Sequence, residues 1–470
     1  TGEAMAETGP SKLTAVSPLD GRYWRACVGV SSCCSDLALI RERVRVEVEY
    51  FIALCSLPLP QLSTVPKECF PLLRAVYEDF GQEEAARVQE IEAVTNHDVK
   101  AVEYYVKEAL QPLVSRWEGY SEFVHFALTS QDINNTAIPS CLRRATLDVY
   151  LPRLDEVVEQ LRQMAAAYMD VPMLARTHGQ AATPTRVGKE LMVFVERLSV
   201  QRQAVAATRH TGKFGGATGQ FNAHAVAFPD VDWPAFADKL LLEQFSLDRE
   251  QYTTQISHYD QLAALFHAMQ RVNTILLDLC RDIWTYISLD YFKLKTVATE
   301  VGSSAMPHKV NPIDFENAEG NLGMANAVFA HLAGKLPVSR LQRDLSDSTV
   351  LRNTGVPLGH TMVAFGSVLR GCKKLSLNGD RIAADLEENW VVVSEAIQTI
   401  LRREAVDQPY EQLKAATRGR VVTRESMEEL IRGLGLAPAL CAELLAVTPH
   451  NFVGVVPPLE RHQFSRAPPN

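Results

Sequence analysis

Four short segments of this 470-residue chain gather polar, small and titratable side chains where the surrounding apolar pattern breaks. They are Thr95-Asn96-His97-Asp98, Thr129-Ser130-Gln131-Asp132, Arg176-Thr177-His178-Gly179-Gln180, and Gly302-Ser303-Ser304-Ala305-Met306-Pro307-His308-Lys309-Val310-Asn311-Pro312. An imidazole such as that of His178 titrates near neutral pH and can act as acid or base there. A serine hydroxyl is a poor base unless backbone N–H groups and a cation stabilise its alkoxide, and Lys309 follows Ser303 by six residues in one loop. Each segment alone reads as a cap at the end of a helix, where hydroxyl residues and Asn are favoured. Four together, three with a His or a Ser-Ser-Lys set, point to a site.

The elements that would position them are helices. Leu151, Leu154, Val157, Val158, Leu161, Met164, Ala165 and Tyr168 recur at three- and four-residue steps. Val187, Leu191, Phe194, Val195, Leu198 and Val205 form a second stripe, and Leu262, Leu265, Phe266, Met269, Val272, Leu276, Leu279 and Ile283 a third. That period is helical and the stripes are too long for strands. The expected helices span about 25 to 35 residues, against a usual length of about 11 to 12. Such stripes are buried along their whole length in bundles, including bundles shared between subunits. The fold class expected is all-α. Punctuation divides it into an N-terminal helical domain over 1–118, a central long-helix bundle over 119–371 carrying the loop 302–312, and a C-terminal helical domain over 372–470.

Composition narrows the functions. The chain is 47% hydrophobic and 22% charged, with Lys+Arg 47 against Asp+Glu 56 and a net charge of −9. No basic tract marks a nucleic-acid surface, so an anionic ligand must be held by a local cluster of cations and backbone donors. No apolar run reaches the length of a membrane span. The nine cysteines include the adjacent Cys33 and Cys34 but no Cys-x-x-Cys pair, which suits reduced thiols in a cytoplasmic compartment, a plastid also being compatible. Neither a metal, for want of ligand spacing, nor an organic cofactor, for want of a Gly-rich nucleotide loop, is expected.

Residues 302–312 fit every fixed position of Gly-Ser-Ser-x-Met-Pro-x-Lys-x-Asn-Pro. That is the signature loop of the fumarase/aspartase superfamily, which the chain therefore resembles. Within it the chain is similar to the adenylosuccinate lyase branch in its bacterial and plant form. The matching stretches are Leu13-Thr-Ala-Val-Ser-Pro-Leu-Asp-Gly-Arg-Tyr23, Thr95 to Tyr104, Arg176 to Gln180, Asp314-Phe-Glu-Asn317 and Gln342-Arg-Asp-Leu-Ser-Asp-Ser-Thr-Val-Leu-Arg352. The likeness runs from about Leu13 to about Val455. It implies a three-domain helical subunit, a homotetramer with a 20-helix core and sites shared between subunits, and loss of fumarate from succinylated purine nucleotides, adenylosuccinate and SAICAR.

That elimination removes a proton beside a carboxylate and breaks a C–N bond, so it needs a base, an acid and donors for developing charge. The resemblance makes His178 the acid, oriented by Glu316. The residues alone leave Ser303 and Ser304 equivalent; the resemblance makes Ser303 the base and Ser304 a carboxylate binder, with Lys309 supplying positive charge. It places Thr129, Ser130, Lys309 and Asn311 on the succinyl carboxylates. Asn96, His97, Asp98, Gln255 and Asn317 fall around the nucleotide and amine, and Arg22, Tyr23, Arg343, Ser348, Thr349 and Arg352 around phosphate and ribose. His125 matches a site position and reads equally as a structural histidine between aromatics. Gly302 suggests a loop that closes on substrate. The chain departs from the branch at Gln131, where Glu is usual, at Ala181, where Pro is usual, and at Ser257-His258-Tyr259-Asp260, where Glu-Pro-His-Asp is usual. The displaced His258 is given no role. A different fumarate-forming lyase, of the argininosuccinate lyase or aspartase type, and a silent crystallin-like member are the alternatives. The cluster Arg343 to Ser348 weighs against the first, and His178, Ser303, Lys309 and Glu316 against the second.

Overall fold

The computed structural model describes residues 11–295, 305, 306, 308–419 and 421–458. Ser303 and Ser304 lie outside the described residues. The elements that matter for the site begin with helices α1 (Trp24–Cys34), α2 (Asp36–Cys55) and α3 (Asp98–Leu110). Helices α4 (Ser130–Arg144) and α5 (Leu151–Ala167) are joined by a π-helical turn over Ala145–Tyr150 into one unbroken rod. Then come α6 (Val187–Ala207), α7 (Asp260–Ser288), α8 (Ile313–Lys335) and α9 (Gly355–Lys374).

Helices α5 to α9 bury their stripes in one core. Every stripe residue from Leu151 to Ala165 is buried on α5, and Phe266 of α7 meets Phe329 of α8 with ring centroids 5.5 Å apart. A second core forms around α2 and takes in Phe214, Trp233 and Phe245 from the stretch between α6 and α7. A third, built on Trp390, Ile397, Leu401, Met427, Ile431 and Leu444, belongs to short C-terminal helices. Among the described residues no helix is long and apolar enough to cross a membrane.

Local chemistry explains two irregularities. Pro139 lies inside α4 and has no N–H for the Asn135 carbonyl four residues back. That carbonyl instead accepts the Lys213 N–H at 3.2 Å, which docks the loop after α6 against α4. The segment 176–180 corrects the expectation of a helix end. It is the tip of an antiparallel hairpin, β1 (Pro172–Thr177) and β2 (Gln180–Arg186), with Thr177 opposite Gln180. The two-residue turn is His178-Gly179, with φ of 52° and 73°. Positive φ at both positions gives the twist that a tight hairpin needs.

In the first turn of α6 the chain passes so close to the end of α5 that only glycine fits at 188. A Cβ there would lie 2.3 Å from the Ala165 carbonyl oxygen and 2.5 Å from Met169 Cα. Both obstacles are backbone. Gly188→Ala should therefore destabilise the subunit by about 1–3 kcal/mol or more, the scale of core overpacking. A lowered urea midpoint at constant slope would register it; an unchanged midpoint would show that the crossing is loose.

Candidate active site

The N-termini of α3 and α4 bring the first two polar segments together. Asn96 ends the preceding helix in the left-handed region, with φ 50°. His97 caps α3: its Nδ1 accepts the Lys100 N–H at 3.1 Å, while Nε2 lies 3.4 Å from Ser130 Oγ. Thr129 caps α4, and its N–H donates to Asp132 Oδ2 at 2.8 Å. Asp132 is wholly buried, as is its ion-pair partner Lys213 at 2.7 Å. The Gly215 and Gly216 N–H groups also donate to Asp132, at 2.8 and 3.1 Å. Gln255 reaches the same glycine turn, donating to the Ala217 carbonyl at 3.4 Å.

Next to this stands a cationic cluster. Asp98 binds Arg43 at 2.8 Å and Arg352 at 3.4 Å, and Arg43 Nε donates to Asn134 at 2.8 Å. Burial alone would raise the Asp98 carboxyl, but Arg43, the Val99 N–H and Arg352 outweigh it and hold it below the usual carboxylate range. Arg43, Gln131, Asn134, Ser348 and Arg352 line one small cavity. Arg343 sits beside Asp347, and Thr349 is exposed, its carbonyl accepting from Asn353.

A second group lies at the start of α8. Exposed Glu316 accepts from Trp284 Nε1 at 3.2 Å. Asn317 donates to the Tyr23 hydroxyl at 3.0 Å and accepts from Ser367 at 2.8 Å. Arg22 and Lys309 are exposed, and Asn311 is half-buried.

His178 forms a third. Its hairpin is anchored by Arg176 to Asp385 at 2.7 Å, a carboxylate that also accepts the Tyr291 hydroxyl, and by Thr183 to Glu395. The ring itself is exposed and, among the described residues, has no hydrogen-bond or ion-pair partner. No hydrogen bond or ion pair among the described residues links His178 to Glu316 or to the His97–Arg352 group. Among the described residues the candidates thus form three groups that share no hydrogen bond or ion pair. His258 lies between Glu250 at 3.6 Å and Asp260 at 3.4 Å. Among the described residues no His, Cys, Asp and Glu grouping could hold a metal ion.

Sequence reading passed over Arg43, Glu47 and Lys213 and gave Asp132, part of the second polar segment, no role; these four hold the candidates in place. Glu47 is fully buried and its Oε1 lies 2.6 Å from Nδ1 of His125, a residue at φ 60°. Burial opposes charging this imidazole, but the Glu47 carboxylate and its hydrogen bond prevail and raise it above its ordinary value. A raised folded value means the pair's stabilisation is complete below the ordinary histidine pKa of about 6.5 and disappears as pH climbs through the folded value. Glu47→Gln should lose stability at acid and neutral pH and converge with the parent at alkaline pH. Denaturant melts from pH 5.5 to 9 would check this; a constant gap would refute it.

Comparison with known proteins places this geometry. A family profile described as Lyase matches residues 39–328, and one described as Adenylosuccinate lyase C-terminal matches 339–453. The adenylosuccinate lyase of Dictyostelium discoideum is 53% identical over 455 residues, covering 95% of this chain and 98% of that protein. Those of Vibrio cholerae and Escherichia coli K12 are 46% and 45% identical, each over 94% of this chain and 97% of the relative. Among solved structures, the 3-carboxy-cis,cis-muconate lactonizing enzyme of Pseudomonas putida superposes with a TM-score of 0.69 at 20% identity, over 90% of this chain and 93% of its own. A fumarate lyase from Mesorhizobium sp. BNC1 gives 0.69 at 18%, over 90% and 94%. These two share the fold. The two profiles, which match most of residues 39–453, and relatives matched along almost their whole length make this chain a member of the adenylosuccinate lyase family.

Proposed function

We propose that the chain cleaves adenylosuccinate to AMP and fumarate, and SAICAR to AICAR and fumarate. The observation that carries this reading is the preformed cluster at the ends of α3 and α4, where Arg352, Ser348, Asp98, His97 and Ser130 converge. Arginine forks and hydroxyls suit a phosphate dianion. Arg343, Ser348, Thr349 and Arg352, with Arg22 and Tyr23, take phosphate and ribose; Thr129, Ser130, Ser304, Lys309 and Asn311 take the succinyl carboxylates. Asn96, His97, Asp98, His125, Gln255 and Asn317 surround the base and amine. His178 protonates the departing purine nitrogen, Ser303 removes the proton beside the carboxylate, Lys309 balances the charge that develops, and Glu316 orients His178.

The second part of the proposal is a homotetramer with composite sites, its subunit divided at about residues 118 and 371. Within one subunit no hydrogen bond or ion pair among the described residues joins the acid to Glu316 or to the cationic cluster, and neighbouring copies would complete the site. The long helices offer surface for that. Val193, Val200, Trp284 and Met324 are exposed, and a Cβ added at Gly320, Gly323 or Gly334 of α8 would meet nothing within 4 Å. Small residues allow helices from neighbouring subunits to approach closely along such a face.

His178→Ala and Ser303→Ala should each lower kcat by at least about 10²-fold, the lower range for a positioned acid or base. Arg352→Ala should weaken AMP binding and raise KM, while the other two variants still bind AMP. Normal kcat in Ser303→Ala together with loss in Ser304→Ala would reverse the assignment of the pair. Mixing the inactive His178→Ala and Ser303→Ala proteins should restore part of the activity by complementation. Full activity from a monomer in sedimentation would defeat the shared-site arrangement.

A further inference from the structure

Arg343 is held from two sides by residues to which the proposed reaction gives no part. Its Nε and Nη2 each lie 3.4 Å from Asp347 Oδ1. With the Gln131 amide turned so that its oxygen faces the guanidinium, that oxygen accepts from Nη2 at 2.6 Å and Nη1 at 3.2 Å. Behind Asp347 stands a buried chain of polar groups. Asp347, 2% exposed, accepts the Ser348 N–H on Oδ1 at 2.8 Å and the Tyr259 hydroxyl on Oδ2 at 2.9 Å. The Tyr259 oxygen in turn accepts from Asn135 Nδ2 at 2.8 Å. Asn135 Oδ1 accepts the Ser257 N–H at 2.9 Å, and Ser257 Oγ accepts the Tyr259 N–H at 2.9 Å and donates to Glu250 at 2.9 Å.

Each direction in this chain is forced. Asn135 Nδ2 can only donate, so it occupies a lone pair of the phenol and leaves the O–H to donate to the carboxylate. Burial, then the charge of Asp347, hold Tyr259 well above the ordinary phenol value, so the proton stays in place. The Tyr259 backbone is fixed as well: φ is 57° and the residue opens α7. The carboxylate plane of Asp347 is thus set by Tyr259 on one oxygen and the Ser348 N–H on the other. The 3.4 Å contacts to Arg343 are long for charge-assisted bonds. They aim the guanidinium without consuming it, and one Nη1 hydrogen stays outside the contacts to Asp347 and Gln131.

We propose that Tyr259 is a positioning residue for anion binding: acting through Asp347, and opposite Gln131, it aims the Arg343 fork at the substrate's phosphate ester. The inference rests on the reading that Arg343 meets that phosphate. Two groups of one ligand-binding loop, Arg343 and the Ser348 backbone, then owe their placement to a tyrosine at the start of a core helix. The same network would also serve as a plain tie between α4, α7 and the Ser346–Leu351 helix, and the test has to separate the two.

Tyr259→Phe in the full-length protein keeps the ring and removes the donor. Raised KM for adenylosuccinate and weakened AMP binding, each by roughly three- to tenfold, are expected from the loss of one net hydrogen bond. The change should fall on KM more than on kcat. The decisive measurement repeats the substitution in an Arg343→Ala background, with AMP binding followed by calorimetry. If Tyr259 acts through the arginine, its substitution there changes AMP binding by less than about 1.5-fold, the coupling expected of residues in one network. An undiminished effect in that background would make Tyr259 a structural tie and overturn the proposal. Weak AMP binding in Arg343→Ala beside normal binding in Tyr259→Phe would overturn it alone. Normal AMP binding in Arg343→Ala would overturn both it and the phosphate reading of that residue. Should Tyr259→Phe fail to fold, Asp347→Asn carries the same cycle, with the same expected loss and the same disappearance without Arg343.

Discussion

The buried ion pair between Asp132 and Lys213 is the interaction on which the arrangement of the binding segments depends. Taking two charges out of water costs several kcal/mol per ion, and their attraction offsets this only when the remaining polar atoms are also satisfied. Here they are. Asp132 receives Lys213 at 2.7 Å and the N–H groups of Thr129, Gly215 and Gly216. Lys213 also donates to the Gly216 carbonyl at 2.5 Å. Burial still depresses the lysine, with Asp132 only partly opposing it. A pair so dependent on its donors admits one geometry. It seats the N-cap of α4, folds the glycine turn against it, and so fixes Thr129 and Ser130 relative to His97. Pro139 contributes from the other side by freeing the Asn135 carbonyl for the Lys213 backbone.

Helix α2 extends the same logic. Its interior face carries Glu42, Arg43, Glu47 and Glu49, all buried. Between them they reach four segments: Glu42 takes Ser140 Oγ of α4 at 2.6 Å, Arg43 takes Asp98 of α3 and Asn134 of α4, Glu47 takes His125, and Glu49 takes Arg74 at 2.7 Å. Tyr50 adds a hydrogen bond to the Phe126 carbonyl at 2.8 Å. Removing Arg43 or His125 leaves the buried Asn134 or Glu47 without that partner, a larger penalty than losing a surface pair. The helix therefore acts as a template that holds polar loops to a geometry, and the left-handed backbone at His125 and Ala127 survives because so many partners over-determine it.

This division explains what could be read from residues alone. The stripes at Leu151–Ala165 and Leu262–Ile283 announce their helices because apolar periodicity is a local property. The capping segments at Asn96–His97 and Thr129 are local too, and the motif around Lys309 is recognisable as a string. The hairpin at 172–186 is not, because its bulge between Met173 and Ala175 and its small, half-exposed residues erase the alternation of a strand. Nor are Arg43, Glu47 and Lys213. In Arg41-Glu-Arg-Val-Arg-Val-Glu-Val-Glu-Tyr50 the charges look like a solvated helix face. Only partners 55 to 91 residues away, Asp98, His125 and Asn134, show that the face points inward.

The rigidity is also unevenly spent. A group suited to holding an anion is already steadied in the subunit: half-exposed Arg352 lies 3.4 Å from Asp98, which the buried Arg43 holds at 2.8 Å. The imidazole of His178, by contrast, stands at a turn with its hairpin braced next to the tip through Arg176 and Asp385 and its ring free among the described residues. A binding group gains from being pre-organised in the absence of its ligand, because the ordering cost is then already met in folding. An acid gains from a different environment, one assembled around it by the substrate and, in the arrangement proposed above, by neighbouring copies of the chain. If the ring were paired within its own subunit, that bond would have to break before the proton could move to substrate. Leaving it unpaired on a stiff support removes that cost while keeping its position set.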